Sequence, residues 1–475
     1  MRSWHNTMLQ LNRHYATARF GEFLPPRDAY TIEQEALMLR KPNRTVFGIT
    51  STFLIAISAV PIGLAQTKGK IPASNVSINA TSRTVTTSNF AVTWNTGVDT
   101  EAITSLSWMG GSNLTRTLEL DTCGNAGDVE YFGNAWAPPA PQSGGLILVG
   151  GGTITPPGTT AWVGQLLASG TVQVTINSNS TNCPPSSAGI NVQTTYRFFD
   201  PRNSGANWFE IQRVFDFSAT AFAYDFRPYI TRLGLNDGYT EVLYPSTGGV
   251  LAAMNVSDCG AGCTGPVSVP NAAPLSPAWA SSQGWFAINN PTTQQGVVVR
   301  RAQSADPQGN AIGAQLWIDW DAGSNANASS FLLMNPTAGF TGGLVTEVET
   351  LCFYNSAIWT PSLKPPLPCI NAPVTLSPSI LTFAGQSVGV ASAPKAATIR
   401  NTGTVAVTIG GILASGDFGQ SNNCPASLAA TATCIIAVVF KPSATGIRSG
   451  SVSIVDVVAN SPQTLSLAGL GLTAP

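Results

Sequence analysis

From about residue 76 to residue 355 the chain is a succession of short segments in which apolar and polar residues alternate, among them VSINATSRTVTTS, FAVTWNTG, AITSLSWMGG and LTRTLELD. A period of two is the mark of a half-buried β-strand, because successive side chains leave opposite faces of the pleat. The clearest case is TTYRFFD followed by PRNSGAN and WFEIQRVFDF, two aromatic-rich arms around a polar loop, which predicts a hairpin. In its second arm Phe209, Ile211, Arg213, Phe215 and Phe217 share one face, the expected core face, and Trp208, Glu210, Gln212, Val214 and Asp216 share the other. YDFRPYITRLGLNDGYTEVLYP predicts two further strands about Asn236-Asp237-Gly238, and GWFAINN, GVVVRRA, GAQLWIDWD, SSFLLMN and LVTEVETLCFYN continue the series. Heptads and long helical periodicity are absent, so the expected fold class is all-β with helix a minor component. A large antiparallel β-sandwich is expected over residues 71–360, a proline-stiffened linker over 361–373, and a second, smaller sandwich over 374–475.

One stretch breaks the alternation. TVFGITSTFLIAISAVPIGLA, Thr45 to Ala65, carries no charge and follows Arg40, Lys41 and Arg44. Its apolar core, Phe53 to Ala65, is nearer the ~7–15 residues of a secretory signal than the ~20 of a spanning helix. Residues 38–65 are therefore expected to be a signal peptide cleaved after Ala65, with Met38 as the natural initiator and residues 1–37 as a mis-assigned extension. An uncleaved anchor helix is the alternative.

Export changes what the composition means. Both histidines, His5 and His14, precede the expected cleavage point, so the exported chain would lack the imidazole that Ser-His-Asp, Cys-His and His-ligated metal sites require. All eight cysteines would remain, an even number suited to disulfides in an oxidising compartment. Between Ile71 and Trp359 there are eighteen carboxylates, nine arginines and no lysine, a net charge near −9. That balance disfavours nucleic acid and polyanionic glycans as partners.

Beyond the linker, residues 374–475 hold no Trp or Tyr, whereas Ile71 to Trp359 hold ten Trp and seven Tyr, which assigns ligand chemistry to the larger region. The C-terminal segment carries in order LSPSILTF, the turn Asn401-Thr402-Gly403, GDF at Gly416 to Phe418, the Cys424 to Cys434 pair, VVFKPSATG and SLAGLG. Taken together these resemble the Hydin-type Ig-like module, also called choice-of-anchor D, of bacterial surface proteins. The resemblance implies an Ig-like β-sandwich, a spacer, anchoring or adhesive role, and a disulfide between Cys424 and Cys434. The larger region resembles mutarotase-like sandwiches by fold analogy only.

Three groups of residues carry candidate chemistry. In GAQLWIDWDAGSNAN, alternation sets Gln315, Trp317, Asp319 and Asp321 on one face and Leu316, Ile318 and Trp320 on the other. An indole flanked by carboxylates suits a sugar, whose ring stacks on the aromatic while its hydroxyls bond the acids. Asp319, Asp321 and Asn325 also offer hard oxygen ligands, making calcium the one cofactor worth weighing; otherwise none is expected. Glu347 and Glu349 share a strand face at a spacing of ~7 Å, which is open to acid and base roles in glycoside hydrolysis. Asp225, Arg227 and Tyr229, with Arg232, Tyr239 and Glu241 beyond the Asn-Asp-Gly turn, could serve a histidine-free lyase using Tyr as base and Arg as anion clamp.

The reading that joins these observations is an exported bacterial protein, secreted, periplasmic or at the cell surface, that binds extracellular polysaccharide or the cell envelope and has no membrane span after cleavage. A histidine-free carbohydrate-active enzyme and a structural or adhesive envelope protein are the alternatives. Oligomeric state is not encoded in any of these signals.

Overall fold

The computed structural model describes residues 76–474 apart from gaps, the longest at 95–102, 120–127, 132–145, 150–161, 181–189, 219–228, 256–266, 269–284, 334–342 and 359–372. The expected signal segment, residues 1–37, Arg227, Asp225 and most of the linker lie outside the described residues. Every described regular element is a strand, as the period-two pattern predicts.

Two sheets form the larger sandwich. The first runs, in hydrogen-bonding order, Ser77–Asn79, Thr84–Thr86, Phe90–Trp94, Ile103–Trp108, Thr115–Glu119, Tyr229–Leu235, Asn325–Leu333, Ala311–Asp321 and Val267–Ser268. The second runs Trp162–Leu166, Thr171–Ser180, Ile190–Phe199, Trp208–Asp216, Leu344–Tyr354, Gln295–Arg301, Trp285–Asn290, Glu241–Pro245 and Leu251–Asn255. The short strand Ser304–Ala305 pairs with both Ala311–Asp321 and Leu344–Tyr354 and joins the two, making nineteen strands among the described residues; Asp128–Tyr131 and Leu146–Val149 pair separately. All of these pairings are antiparallel.

Between the sheets lies an apolar core in which Val85, Phe90, Val92, Trp94 and Leu106 of the first meet Val172, Val174, Tyr196, Phe198, Phe209, Ile211, Leu351 and Phe353 of the second. Phe90 stands at its centre, edge-on to Phe209 at 5.5 Å and 5.0 Å from Phe353. Tilted and edge-to-face contacts of this kind add to area burial. The expected hairpin is present with Phe198 opposite Phe209, and Phe209 and Ile211 enter the core as their parity predicts. Trp94, Trp108, Trp162 and Tyr196 are spent in this core, and Trp285 and Tyr354 are buried in a second cluster with Leu243, Ala287, Val298 and Cys352.

Residues 373–474 form an Ig-like sandwich. One sheet is Val374–Ser377, Lys395–Asn401, Thr433–Phe440 and Phe418–Asn422; the other is Ile380–Thr382, Gln463–Leu472, Gly446–Asp456, Val407–Ala414 and Ser427–Leu428, with Gln386–Ser387 also paired to Gln463–Leu472. Ile380–Thr382 pairs parallel to Gln463–Leu472, and Phe383, Phe418 and Phe440 cluster in the core. The sequence motifs have physical reasons. Asn401 closes its turn by accepting from Gly403 N at 2.9 Å and reaching the carbonyls of Val405, Leu428 and Ala429. In GDF, Gly416 has φ +70° and a Cβ there would sit 2.7 Å from the Ser449 carbonyl, so only glycine fits. Cys424 and Cys434 are disulfide-bonded, and Cys352 in the larger sandwich is disulfide-bonded as well.

The Ig-like sandwich is docked on the second sheet. Gln193, Thr195, Arg197, Glu210, Gln212, Val214 and Thr346 occupy the side of that sheet away from the core, the side that alternation alone would give to water. The Gly446–Asp456 and Gln463–Leu472 strands cover it. Arg197 donates to the Gly450 carbonyl at 2.9 Å and to Gln212 Oε1, Gln212 donates to the Leu467 carbonyl at 2.9 Å, and Thr195 and Ser449 share a 2.9 Å hydroxyl bond. Val214 and Leu344 pack on Ala468. Burial lowers the Arg197 guanidinium to about 10, with Glu210, its cross-strand neighbour, pulling the other way.

Candidate functional site

Register in the first sheet brings two of the sequence candidates onto one face. Laterally paired residues of neighbouring strands share a face, so a row across the sheet can be followed from partner to partner. Glu119 pairs with Arg232, Arg232 with Ser329, Ser329 with Trp317, and Trp317 with Ser268. The next row on that face runs Thr117, Gly234, Asn327 and Asp319, and beyond it Asp321 pairs with Asn325. The opposite face carries the row Leu118, Leu233, Ala328, Ile318 and Val267. One face thus carries an apolar row across five strands, and the other collects carboxylates, amides, hydroxyls, one arginine and one tryptophan, with Phe331 opposite Gln315.

The Trp317/Asp319 strand and the Arg232 strand, two separate candidates in the sequence, are therefore neighbours through Asn325–Leu333. Gln315 pairs with Phe331, which pairs in turn with Tyr229 across an irregularity in the ladder. Glu119 belongs to the same row and no sequence signal marks it, because the strands that place it beside Arg232 are more than a hundred residues apart. The calcium candidates Asp319, Asp321 and Asn325 stand at the hairpin end of this face.

Glu347 and Glu349 have a different setting. Both are fully buried on the inward face of Leu344–Tyr354, beside Leu351 and Phe353, and both accept from the same guanidinium nitrogen of Arg213, at 3.0 and 3.4 Å. Their strand is central, paired with Trp208–Asp216 on one side and Gln295–Arg301 on the other. Two carboxylates on one arginine make an ion cluster that holds two strands in register across Arg213 and Glu347, which are direct partners.

Tyr239 and Glu241, placed beside Tyr229 and Arg232 in sequence, also have structural partners. Tyr239 is part of the apolar core, and burial pushes its hydroxyl up to about 12. Glu241 accepts from Asn289 Nδ2 at 2.7 Å, and Asn289 Oδ1 accepts from the buried Tyr354 hydroxyl at 2.8 Å. Burial, then Glu241 and Tyr239, raise that hydroxyl above the usual phenol range. On the outward side of the second sheet, burial pushes partly buried Glu210 up to about 7, against the lowering influence of Arg197, Thr464 and Arg300.

No family model and no curated protein matches the chain. Among solved structures, the PapD-like domain 7 of human CEP192 is 17% identical over 24% of this chain and 95% of its own, with a TM-score of 0.19. WR4, an MSP family member of C. elegans, is 7% identical over 22% of this chain and all of its own, at 0.16. The VesB protease of Vibrio cholerae is 11% identical over 72% of this chain and 95% of its own, at 0.23. At these scores no activity passes from any of them to this chain, and function is argued from the residues alone.

Proposed function

We propose that this chain is an exported, bacterial surface or extracellular protein that binds polysaccharide on the polar face of the first sheet. The observation that carries the reading is the row Glu119, Arg232, Ser329, Trp317 and Ser268, flanked by Asn327 with Asp319 and Asn325 with Asp321. Carboxylates and amides bond sugar hydroxyls, and an indole takes the C–H face of a pyranose. Binding is preferred to hydrolysis because Glu347 and Glu349, the paired acids an enzyme would want, are both engaged by Arg213 in the interior. In this reading the C-terminal sandwich, with its Hydin-type motifs, supports the binding sandwich at the cell surface.

The test is a glycan array probed with the secreted chain, with and without EDTA to report on calcium at Asp319, Asp321 and Asn325. Selective binding that weakens by roughly tenfold or more in Trp317→Ala is the expected result, within the range of losses seen for aromatic anchors. A flat array, or a Trp317→Ala chain indistinguishable from wild type, refutes the reading.

A further inference from the structure

Resting on the polysaccharide reading above, we infer that this face recognises a run of about four linked, uncharged sugars lying across the strands. The row from Glu119 to Ser268 crosses five strands. Strands are spaced ~4.8 Å apart, so the row is roughly 19 Å long. One pyranose ring spans little more than one such spacing, so a single sugar meets one or two of these positions and a chain meets them all.

The order of residue types along the row fits an extended polymer. Trp317 is next to the far end, with a serine on either side, Ser329 and Ser268. An indole is a residue type on which a pyranose ring stacks, and serine one that hydrogen-bonds sugar hydroxyls. Arg232 and Glu119 follow as direct partners. Their charges offset each other, and Asp319 and Asp321 on the same face leave it net negative. A uronate or sulfated chain is thereby opposed by electrostatics, in line with the acidic balance of the whole sandwich, whereas neutral hydroxyls find both donors and acceptors.

The experiment is isothermal titration of the full secreted chain with oligosaccharide ladders, monomer to hexamer, of the cello, xylo and manno series, with a galacturonate ladder as the charged contrast. Affinity for one neutral ladder is expected to rise by roughly tenfold per added sugar up to the tetramer and then level off, while the galacturonate ladder stays weak. Trp317→Ala is expected to weaken every length, and Glu119→Ala to remove the gain from the longest oligomers. A monosaccharide that binds as tightly as the hexamer, or a preference for the galacturonate ladder, overturns the inference and leaves polysaccharide binding standing. Silence across all four ladders and the glycan array removes both.

Discussion

Arg213 is a charge that the interior has to balance. It lies among apolar side chains and faces two buried carboxylates. Removing one partner of such a cluster strands charge in a low-dielectric setting, at a cost of about 3–5 kcal/mol, whereas replacing the whole cluster with apolar residues is often neutral. Arg213→Met should therefore lower unfolding stability by roughly that amount in urea titration, and Arg213→Met combined with Glu347→Leu and Glu349→Leu should recover most of it. Glu210 has the opposite character. Its carboxyl is pushed up to about 7 from 4.5, so the folded chain keeps this proton longer than the unfolded chain. The native state is thus favoured at acidic pH and loses ground as pH climbs from 4.5 through 7. Between about pH 5 and about pH 8, wild type should lose stability that Glu210→Gln keeps, compared through urea midpoints.

At the scale of single elements, the GDF turn shows how a short motif pins a strand. Asp417 accepts from Ser443 N at 3.0 Å, from Ser443 Oγ at 2.8 Å and from Arg448 Nε at 2.5 Å. Burial raises its carboxyl, but the bonds from Arg448 and Ser443 outweigh this and hold it below the usual range. Its contribution is present above the unfolded Asp value and disappears as pH falls through the lower folded one. Asp417→Asn should remove that acid-side slope and loosen the entry to Gly446–Asp456, visible as faster amide exchange there. The strands themselves were legible in the sequence: the hairpin with Phe198 opposite Phe209, the inward Phe209 and Ile211, and the joined Cys424 and Cys434 all follow from alternation, turn chemistry or motif. Faces were harder. Glu347 and Glu349 look like the polar side of a strand, yet their parity puts them inside with Leu351 and Phe353, because Arg213 from a neighbouring strand supplies the charge that makes this tolerable. Trp and Tyr enrichment suggested ligand chemistry, and most of those described rings fill the core instead. The row through Glu119 was invisible for a third reason, since lateral order in a sheet is set by long-range pairing that a local pattern does not record.

For the whole molecule, the central finding is that the second sheet has no free face where the Ig-like sandwich sits. Gln193, Thr195, Arg197 and Gln212 bond to Ile447, Ser449, Gly450 and Leu467, more than two hundred residues further on. Arg197→Ala with Gln212→Ala would leave the Gly450 and Leu467 carbonyls without these donors, each buried polar group so orphaned costing about 1–3 kcal/mol. Hydrogen exchange should quicken first along Gly446–Asp456 and Gln463–Leu472 and along Ile190–Phe199, with the Phe383, Phe418 and Phe440 core protected until global unfolding. An unchanged exchange pattern would mean that the docking contributes little.

Arg197 also sets a limit on heredity. A beads-on-a-string protein can trade one bead for a homologue, because nothing but a flexible tether records which bead came before. Here an incoming replacement would have to offer carbonyls at the places of Gly450 and Leu467 and a hydroxyl at that of Ser449, or trap a guanidinium against an indifferent wall. The two halves of this chain are expected to have descended together, and a chimera between them to fold only when its surface residues are exchanged as a matched set.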